Sequence, residues 1–217
     1  MGIPTPDTSH LRDAKYASVY EPAEDTYLLL DALENDRAEL QRLQPTICVE
    51  IGSGSGCVSA FLGQVLDPSA ALVLSTDINP AATEATRQTA ARTPSAAVFE
   101  QCRTRFVQAL VPRLCGNIDL LLFNPPYVVT PSDEIDVTQE ASAWAGGKDG
   151  REVLDRLLPH IPQLLAPAGR FYLVVIEENK PLDIIDYLSA HGLSGKRVLQ
   201  RRAGRENLSI LRFIKNM

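Results

Sequence analysis

The stretch from Thr46 to Gly56 constrains the fold most. The apolar run Ile47-Cys48-Val49-Glu50-Ile51 stops at the turn Gly52-Ser53-Gly54-Ser55-Gly56, and a helical period begins at once. Val58, Phe61, Leu62, Val65 and Leu66 recur at i, i+3, i+4, i+7 and i+8, which is one face of a helix laid on a sheet. Glycines let the turn reverse sharply and approach a ligand without a Cβ clash, and the helix start beyond offers free N–H groups. Strand, glycine turn and one-faced helix together form the repeating unit of a sheet covered by helices.

The same alternation runs along the chain. Leu28, Leu29, Leu30, Leu33, Leu40 and Leu43 predict a helix from Glu24 onward, ahead of a strand over Thr46 to Ile51. Further strands are expected at Ala71–Ile78, Ala97–Cys102, Ile118–Phe123, Arg170–Ile176, Gly195–Gln200 and Asn207–Ile214. Asn79 and Pro80 supply the cap and first position of a helix after the second strand. Val153, Leu154, Leu157, Leu158 and Ile161 mark a later helix, and Pro167-Ala168-Gly169 a turn before the fifth strand; Pro181 to His191 reads as the last helix. The expected fold class is α/β, a mostly parallel sheet with helices on both faces and an antiparallel strand at the end. Ligands of such sheets bind at the carboxyl ends of the strands.

Residues 1–20 carry Gly2, Pro4, Pro6, Ser9 and Ser18 with little apolar periodicity and are expected to be a flexible lead-in; residues 21–217 are expected to form one catalytic domain. No apolar run approaches the ~20 residues that span a bilayer, and the start shows neither a basic leader nor a cleavable apolar segment, so no membrane role and an intracellular location are expected. Cys48, Cys57, Cys102 and Cys115 are scattered without a C-x-x-C pair, which points to reduced structural thiols. The net charge of −6 argues against a nucleic-acid substrate. Lys196, Arg197, Arg201, Arg202 and Arg205 run against that charge, as a solvated hairpin or as a docking surface.

Asn124-Pro125-Pro126-Tyr127 directly follows the run Ile118-Asp119-Leu120-Leu121-Leu122-Phe123. At a strand end, this tetrapeptide can hold a planar nitrogen through the Asn124 side-chain oxygen and the Pro125 carbonyl, while Pro126 stiffens the turn and Tyr127 covers the flat face. Glu50 and Asp77 are strand-end carboxylates, which either cap local turns or meet a ligand. The dinucleotide fingerprint G-x-G-x-x-G is not met, because Cys57 stands at the third glycine position. An NAD oxidoreductase would share the glycine turn, but it has no use for Asn-Pro-Pro-Tyr. His160 and His191 fall in helices outside any motif.

Four segments carry a resemblance: Tyr20-Glu21-Pro22-Ala23-Glu24-Asp25-Thr26, the glycine turn with its preceding Glu50, Phe123 to Val128, and Trp144-Ala145-Gly146-Gly147-Lys148-Asp149-Gly150-Arg151. Together they are similar to the HemK-like protein-glutamine N5-methyltransferases, in the short eukaryotic and archaeal form that acts on a class I translation release factor. The likeness runs from about residue 20 to the end of the chain. It implies a Rossmann-like, seven-stranded class I S-adenosylmethionine-dependent methyltransferase fold, with S-adenosylmethionine as cofactor. Cofactor contacts are implied for Thr26, Glu50, Gly52, Gly54, Gly56, Asp77, Ile78, Arg105, Phe106 and Asn124. Glu50 would lie near the methionine amino group and Asp77 at the ribose hydroxyls. Asn124, Pro125, Pro126 and Tyr127 would carry catalysis, and Asn124, Tyr127 and Trp144 would meet the substrate.

One departure concerns the adenine, where the family has an acidic residue before an apolar one. In an alignment run through Leu110-Val111-Pro112-Arg113-Leu114, this chain has Arg105 and Phe106 there, and an arginine cannot accept from the adenine amino group. Either a backbone carbonyl takes over, or Arg105 turns away while Phe106 packs on the ring, or the register of that alignment is shifted. Trp144 either anchors its loop or lines the acceptor channel. Asp133, Glu134, Asp136 and Glu140 form a solvated acidic lid that could instead admit a basic peptide. That lid keeps histone lysine methylation as one alternative activity, and Asn-Pro-Pro-Tyr with the basic cluster at 196–205 keeps adenine or guanine amino-methylation of nucleic acid as another. The resemblance also implies a heterodimer with a small zinc-binding methyltransferase activator subunit. Ala96-Ala97-Val98-Phe99-Glu100-Gln101-Cys102 is the expected open edge strand for it. The expected location is the cytoplasm, with the nucleus second.

Overall fold

A computed structural model describes residues 2–111, 113–135 and 143–217. Its strands belong to a seven-stranded mixed sheet, and its contacts divide the chain into two compact units, Met1–Val111 and Pro112–Met217.

In the first unit, β1 (Ile47–Ile51), β2 (Leu72–Asp77) and β3 (Val98–Arg103) are parallel, in the order β3-β2-β1. Around them lie α1 (Glu24–Asn35), α2 (Arg37–Leu43), α3 (Cys57–Leu66) and α4 (Pro80–Arg92). The single helix expected over residues 24–43 breaks at Asp36, whose ψ of 4° leaves the helical region. Asn35 and Asp36 compete with the helix for backbone hydrogen bonds. The cap of α4 is as read, with the Asn79 side chain accepting from the Ala81 N–H at 2.9 Å and Pro80 at the first position.

The lead-in is packed where loose chain was expected. Two short 3-10 turns, Ser9–Arg12 and Ala14–Tyr16, bring Leu11, Tyr16 and Val19 into a cluster with Ala82 and Ala85 of α4. Their apolar side chains follow no helical or strand period, which is why the pattern escaped a search for regular elements.

In the second unit the order is β4-β5-β7-β6, with β4 (Ile118–Phe123), β5 (Leu165–Ile176), β6 (Leu193–Ala203) and β7 (Glu206–Lys215). β4 and β5 are parallel, and β7 runs antiparallel to both β5 and β6. The unit also contains α5 (Glu152–Leu157), α6 (Ile161–Leu164) and α7 (Pro181–Ala190). The helix expected over 153–161 is interrupted, since Pro159 and Pro162 each lack the N–H that a continuous helix needs there. Pro167-Ala168-Gly169 is an irregularity within β5 and not a turn before it: the register jumps from Ile118 opposite Leu165 to Leu120 opposite Arg170, with Ala168 at φ 60°. Leu120, Leu121 and Leu122 are wholly buried, as a strand covered on both faces requires. Phe171 stacks on its cross-strand partner Phe213, with ring centroids 5.8 Å apart.

The basic cluster lies along β6 and its hairpin turn. Lys196 and Arg202 are exposed, and Arg197 pairs with Glu177 at 3.1 Å. No helix among the described residues is long and apolar enough to cross a membrane, and all four cysteines are free thiols.

Candidate active site

The first unit supplies two buried carboxylates and the glycine turn. Glu50 is the next-to-last residue of β1 and Asp77 the last of β2. Burial pushes the Glu50 carboxyl up to about 8; hydrogen bonds from Ser59 oppose the rise and the charge of Asp77 adds to it. The Ser59 hydroxyl donates to Glu50 Oε2 and shares a 2.7 Å hydrogen bond with Ser75. Burial also raises the Asp77 carboxyl, against the N–H groups of Asn79, Gly54 and Ile78. Asp77 Oδ2 accepts from Gly54 at 3.0 Å and Oδ1 from Asn79 at 2.8 Å, so this carboxylate also organises the turn. None of the groups that shift either acid is a cation.

Gly52, Gly54 and Gly56 all take positive φ. At Gly56, with φ 75°, an added Cβ would come within 2.5 Å of the Thr86 backbone, so the helix pair α3–α4 closes only over glycine. At Gly54, with φ 49°, an added Cβ would lie 3.9 Å from the Tyr20 carbonyl oxygen, an ordinary van der Waals contact with the lead-in. The Gly52 and Ser53 N–H groups donate to the Thr76 carbonyl at 2.8 and 3.0 Å. From α4, Thr89 donates to the Ser55 carbonyl at 2.6 Å and Thr86 to the Gly54 carbonyl at 3.3 Å.

The other implied cofactor residues have varied surroundings. The Thr26 hydroxyl accepts from the Ala23 N–H at 3.3 Å and donates to buried Asp25, a helix-start role on α1. The Ile78 carbonyl accepts from the Arg103 guanidinium at 3.2 Å. Arg105 and Phe106 lie half-buried beyond β3, and Phe106 takes the left-handed φ of 48° that a non-glycine residue adopts only under constraint. Pro112, used in the adenine alignment, lies outside the described residues.

In the second unit lies the turn Asn124-Pro125-Pro126-Tyr127. Asn124 follows the last residue of β4, and Pro125 and Pro126 carry the chain to Tyr127, which is 9% exposed. Val128 donates its N–H to the Trp144 carbonyl at 3.0 Å, and Gly146 donates to the Val128 carbonyl at 2.8 Å. The Trp144 main chain therefore anchors the loop, while its side chain is 43% exposed. The segment Gly146-Gly147-Lys148-Asp149-Gly150 folds back on the turn: a Cβ on Gly150 would lie 1.9 Å from the Tyr127 carbonyl oxygen. Lys180 pairs with Asp149 at 2.8 Å across this loop. Of the acidic lid, Asp133 and Glu134 form a short 3-10 turn; Asp136 and Glu140 lie outside the described residues.

Sequence reasoning missed Ser59, Thr86, Thr89 and Asn179. Each acts through tertiary placement and stands in no spaced motif.

No family model matches the sequence. Methyltransferase HEMK2 of Mus musculus is 50% identical over 214 residues, covering 99% of this chain and 98% of its own length. The eRF1 methyltransferase catalytic subunit mtq2 of Schizosaccharomyces pombe is 40% identical over 222 residues, 97% of this chain and 95% of its own. Among solved structures, the E. cuniculi Mtq2–Trm112 complex, responsible for methylation of the eRF1 translation termination factor, is similar with a TM-score of 0.64. It is 28% identical and covers 92% of this chain and 99% of that one.

Proposed function

The chain belongs to the HemK-like methyltransferases that include HEMK2 and Mtq2, and from that premise we propose that it methylates the side-chain amide of a glutamine in the Gly-Gly-Gln motif of a class I release factor. It is an S-adenosylmethionine-dependent enzyme. The residues present suit that cofactor: Glu50 and Asp77 are buried acids with no cation among the groups that shift them, and they flank a turn of three positive-φ glycines. Glu50 would hold the cofactor's amino group, Asp77 its ribose hydroxyls. When bound, the cofactor supplies an electrophilic sulfonium methyl.

The observation that carries the acceptor is the turn after β4. A glutamine amide nitrogen has its lone pair delocalised into its carbonyl and attacks slowly in water. The Asn124 side-chain oxygen and the Pro125 carbonyl accept from its two N–H groups, fix its direction and stabilise the positive charge that develops on it. Tyr127 covers the flat face. No strong general base is needed, because the nitrogen becomes acidic only as the bond forms. On this reading the enzyme works in the cytoplasm, where release factors act.

The test is incubation of the full chain, with its activator, with labelled S-adenosylmethionine and the release factor. Label is expected on the wild-type factor and absent when the acceptor motif carries Gln→Ala; label that survives that change rules the reading out. Gln and Lys peptides assayed side by side separate it from histone methylation.

The partner is a small activator subunit, which we place on β3. Among the described residues that strand pairs only with β2, leaving its other edge open, and Val98 is 56% exposed. Phe99 is not part of that free surface: its ring packs over Gly63 of α3, where an added Cβ would lie 2.5 Å from Cζ. A charge at Phe99 would therefore damage the fold, and Val98→Asp is the informative change. It is expected to weaken co-purification with the activator by about 10- to 100-fold with the melting temperature of the chain unchanged. Undiminished pairing would move the interface elsewhere.

A further inference from the structure

We propose that Asn179 is a positioning residue for the acceptor turn; the inference rests on the reading that glutamine is held at Asn124 to Tyr127. Asn179 is 1% exposed and ends the short 3-10 turn Glu177–Asn179 that follows β5. Its Oδ1 accepts the Ile176 N–H at 2.8 Å, which fixes the orientation of the carboxamide. Its Nδ2 donates to the Tyr127 carbonyl at 2.9 Å and to the Asp149 carbonyl at 3.0 Å, with the Gly150 carbonyl at 3.4 Å.

One amide group, 52 residues from Tyr127 in sequence, thus ties the exit of the acceptor turn to the glycine loop and to the end of β5. The fit has no slack: a Cβ on Gly150 would meet Nδ2 at 2.5 Å, and one on Gly146 would meet the Gly150 carbonyl oxygen at 2.6 Å. Tyr127 is held through its main chain, so its ring and, through the stiff Pro126, the Pro125 carbonyl keep their direction without contact between Asn179 and substrate. Only a side chain that is acceptor on one side and donor on the other satisfies all these groups. Aspartate keeps the acceptor but sets a carboxylate against the Tyr127 and Asp149 carbonyls; on protonation it regains one donor.

The experiment compares Asn179→Asp and Asn179→Ala with wild type in the full chain with its activator. At about pH 8, Asn179→Asp is expected to lower kcat by about 10- to 100-fold, more than it raises KM, with cofactor affinity within about twofold. The ratio of its kcat to that of wild type should recover as pH falls and the carboxyl protonates. A flat ratio overturns the proposal, as do an unchanged kcat and a loss of cofactor affinity in step with kcat, which a general loosening of the fold would give. Asn179→Ala should speed amide exchange by about tenfold at residues 127–130 and 146–150 and not within β5. If Asn179→Ala does not fold, the Asp variant gives the same exchange comparison. Absence of glutamine methylation by wild type would instead remove the proposed function, and the exchange measurement then decides Asn179: unchanged exchange overturns the positioning role.

Discussion

Asn124→Ala is expected to lower kcat for methyl transfer by about 10²- to 10³-fold, while S-adenosylmethionine binds within about tenfold of wild-type affinity. The size of the loss follows from the acceptor. An amide nitrogen gains positive charge as its bond to the methyl carbon forms, and an acceptor already pointed at its N–H groups stabilises that charge without reorganising. On the proposed reading alanine removes that acceptor and leaves the Pro125 carbonyl to hold the nitrogen alone. On the same reading Asn124 is one cofactor contact among ten, and Glu50, Asp77 and the glycine turn, which lie on β1, β2 and the turn after β1, keep most of the affinity. Asn124→Asp keeps an acceptor in place and should fall between the two. Rates are read with saturating cofactor, and binding by calorimetry on the same preparations. A kcat for Asn124→Ala within about threefold of wild type would remove Asn124 from the chemistry.

Much of this arrangement was legible in the sequence because it rests on local rules. β1 and β4 are apolar runs broken by single acids, Glu50 and Asp119, and followed directly by Gly52 and Asn124, and a strand buried on both faces cannot read otherwise. Asn79-Pro80 announced the start of α4, and the Asn-Pro-Pro-Tyr turn announced itself by composition. The interruption of the helix over 153–161 was also present in the sequence, in Pro159 and Pro162, but the apolar spacing of Val153, Leu157 and Ile161 outweighed it. Other features had no local signal. Thr86 and Thr89 look like ordinary polar residues of a helix until α4 is placed against the glycine turn, and Ser59 looks like a small residue of α3 until it meets Glu50. Asn179 follows two glutamates and gives no hint that it will bridge to Tyr127 and Asp149. These side chains are specified by the fold, and their roles become readable only with it.

Glu50→Gln is expected to stabilise the unliganded chain at alkaline pH and to weaken cofactor binding. In the folded chain the Glu50 carboxyl titrates at about 8, against 4.5 for an ordinary glutamate, because burial disfavours the charged form. Between those values the folded state holds a proton that the unfolded state has released, so stability falls as pH rises through the window. The contribution is complete below the lower value and lost above the upper one. Asp77 shifts in the same direction and Cys57, pushed up to about 12, stays neutral, so part of the slope survives in the variant. Glutamine carries no charge at any of these pH values. Its melting temperature should exceed that of wild type by roughly 5–10 °C near pH 9, by less than half of that near pH 6, and approach it only below about pH 4.5, a full difference of a few kcal/mol. On the proposed reading the cofactor's ammonium would favour the Glu50 carboxylate and reverse the balance: wild type should release a proton on binding near pH 7, seen as an apparent enthalpy that differs between phosphate and Tris buffers. Glu50→Gln should lose most of that buffer dependence and about 10- to 100-fold in affinity. Equal melting curves for the two proteins near pH 9, or tight binding by the variant, would show that this buried acid does not hold the charged end of the cofactor.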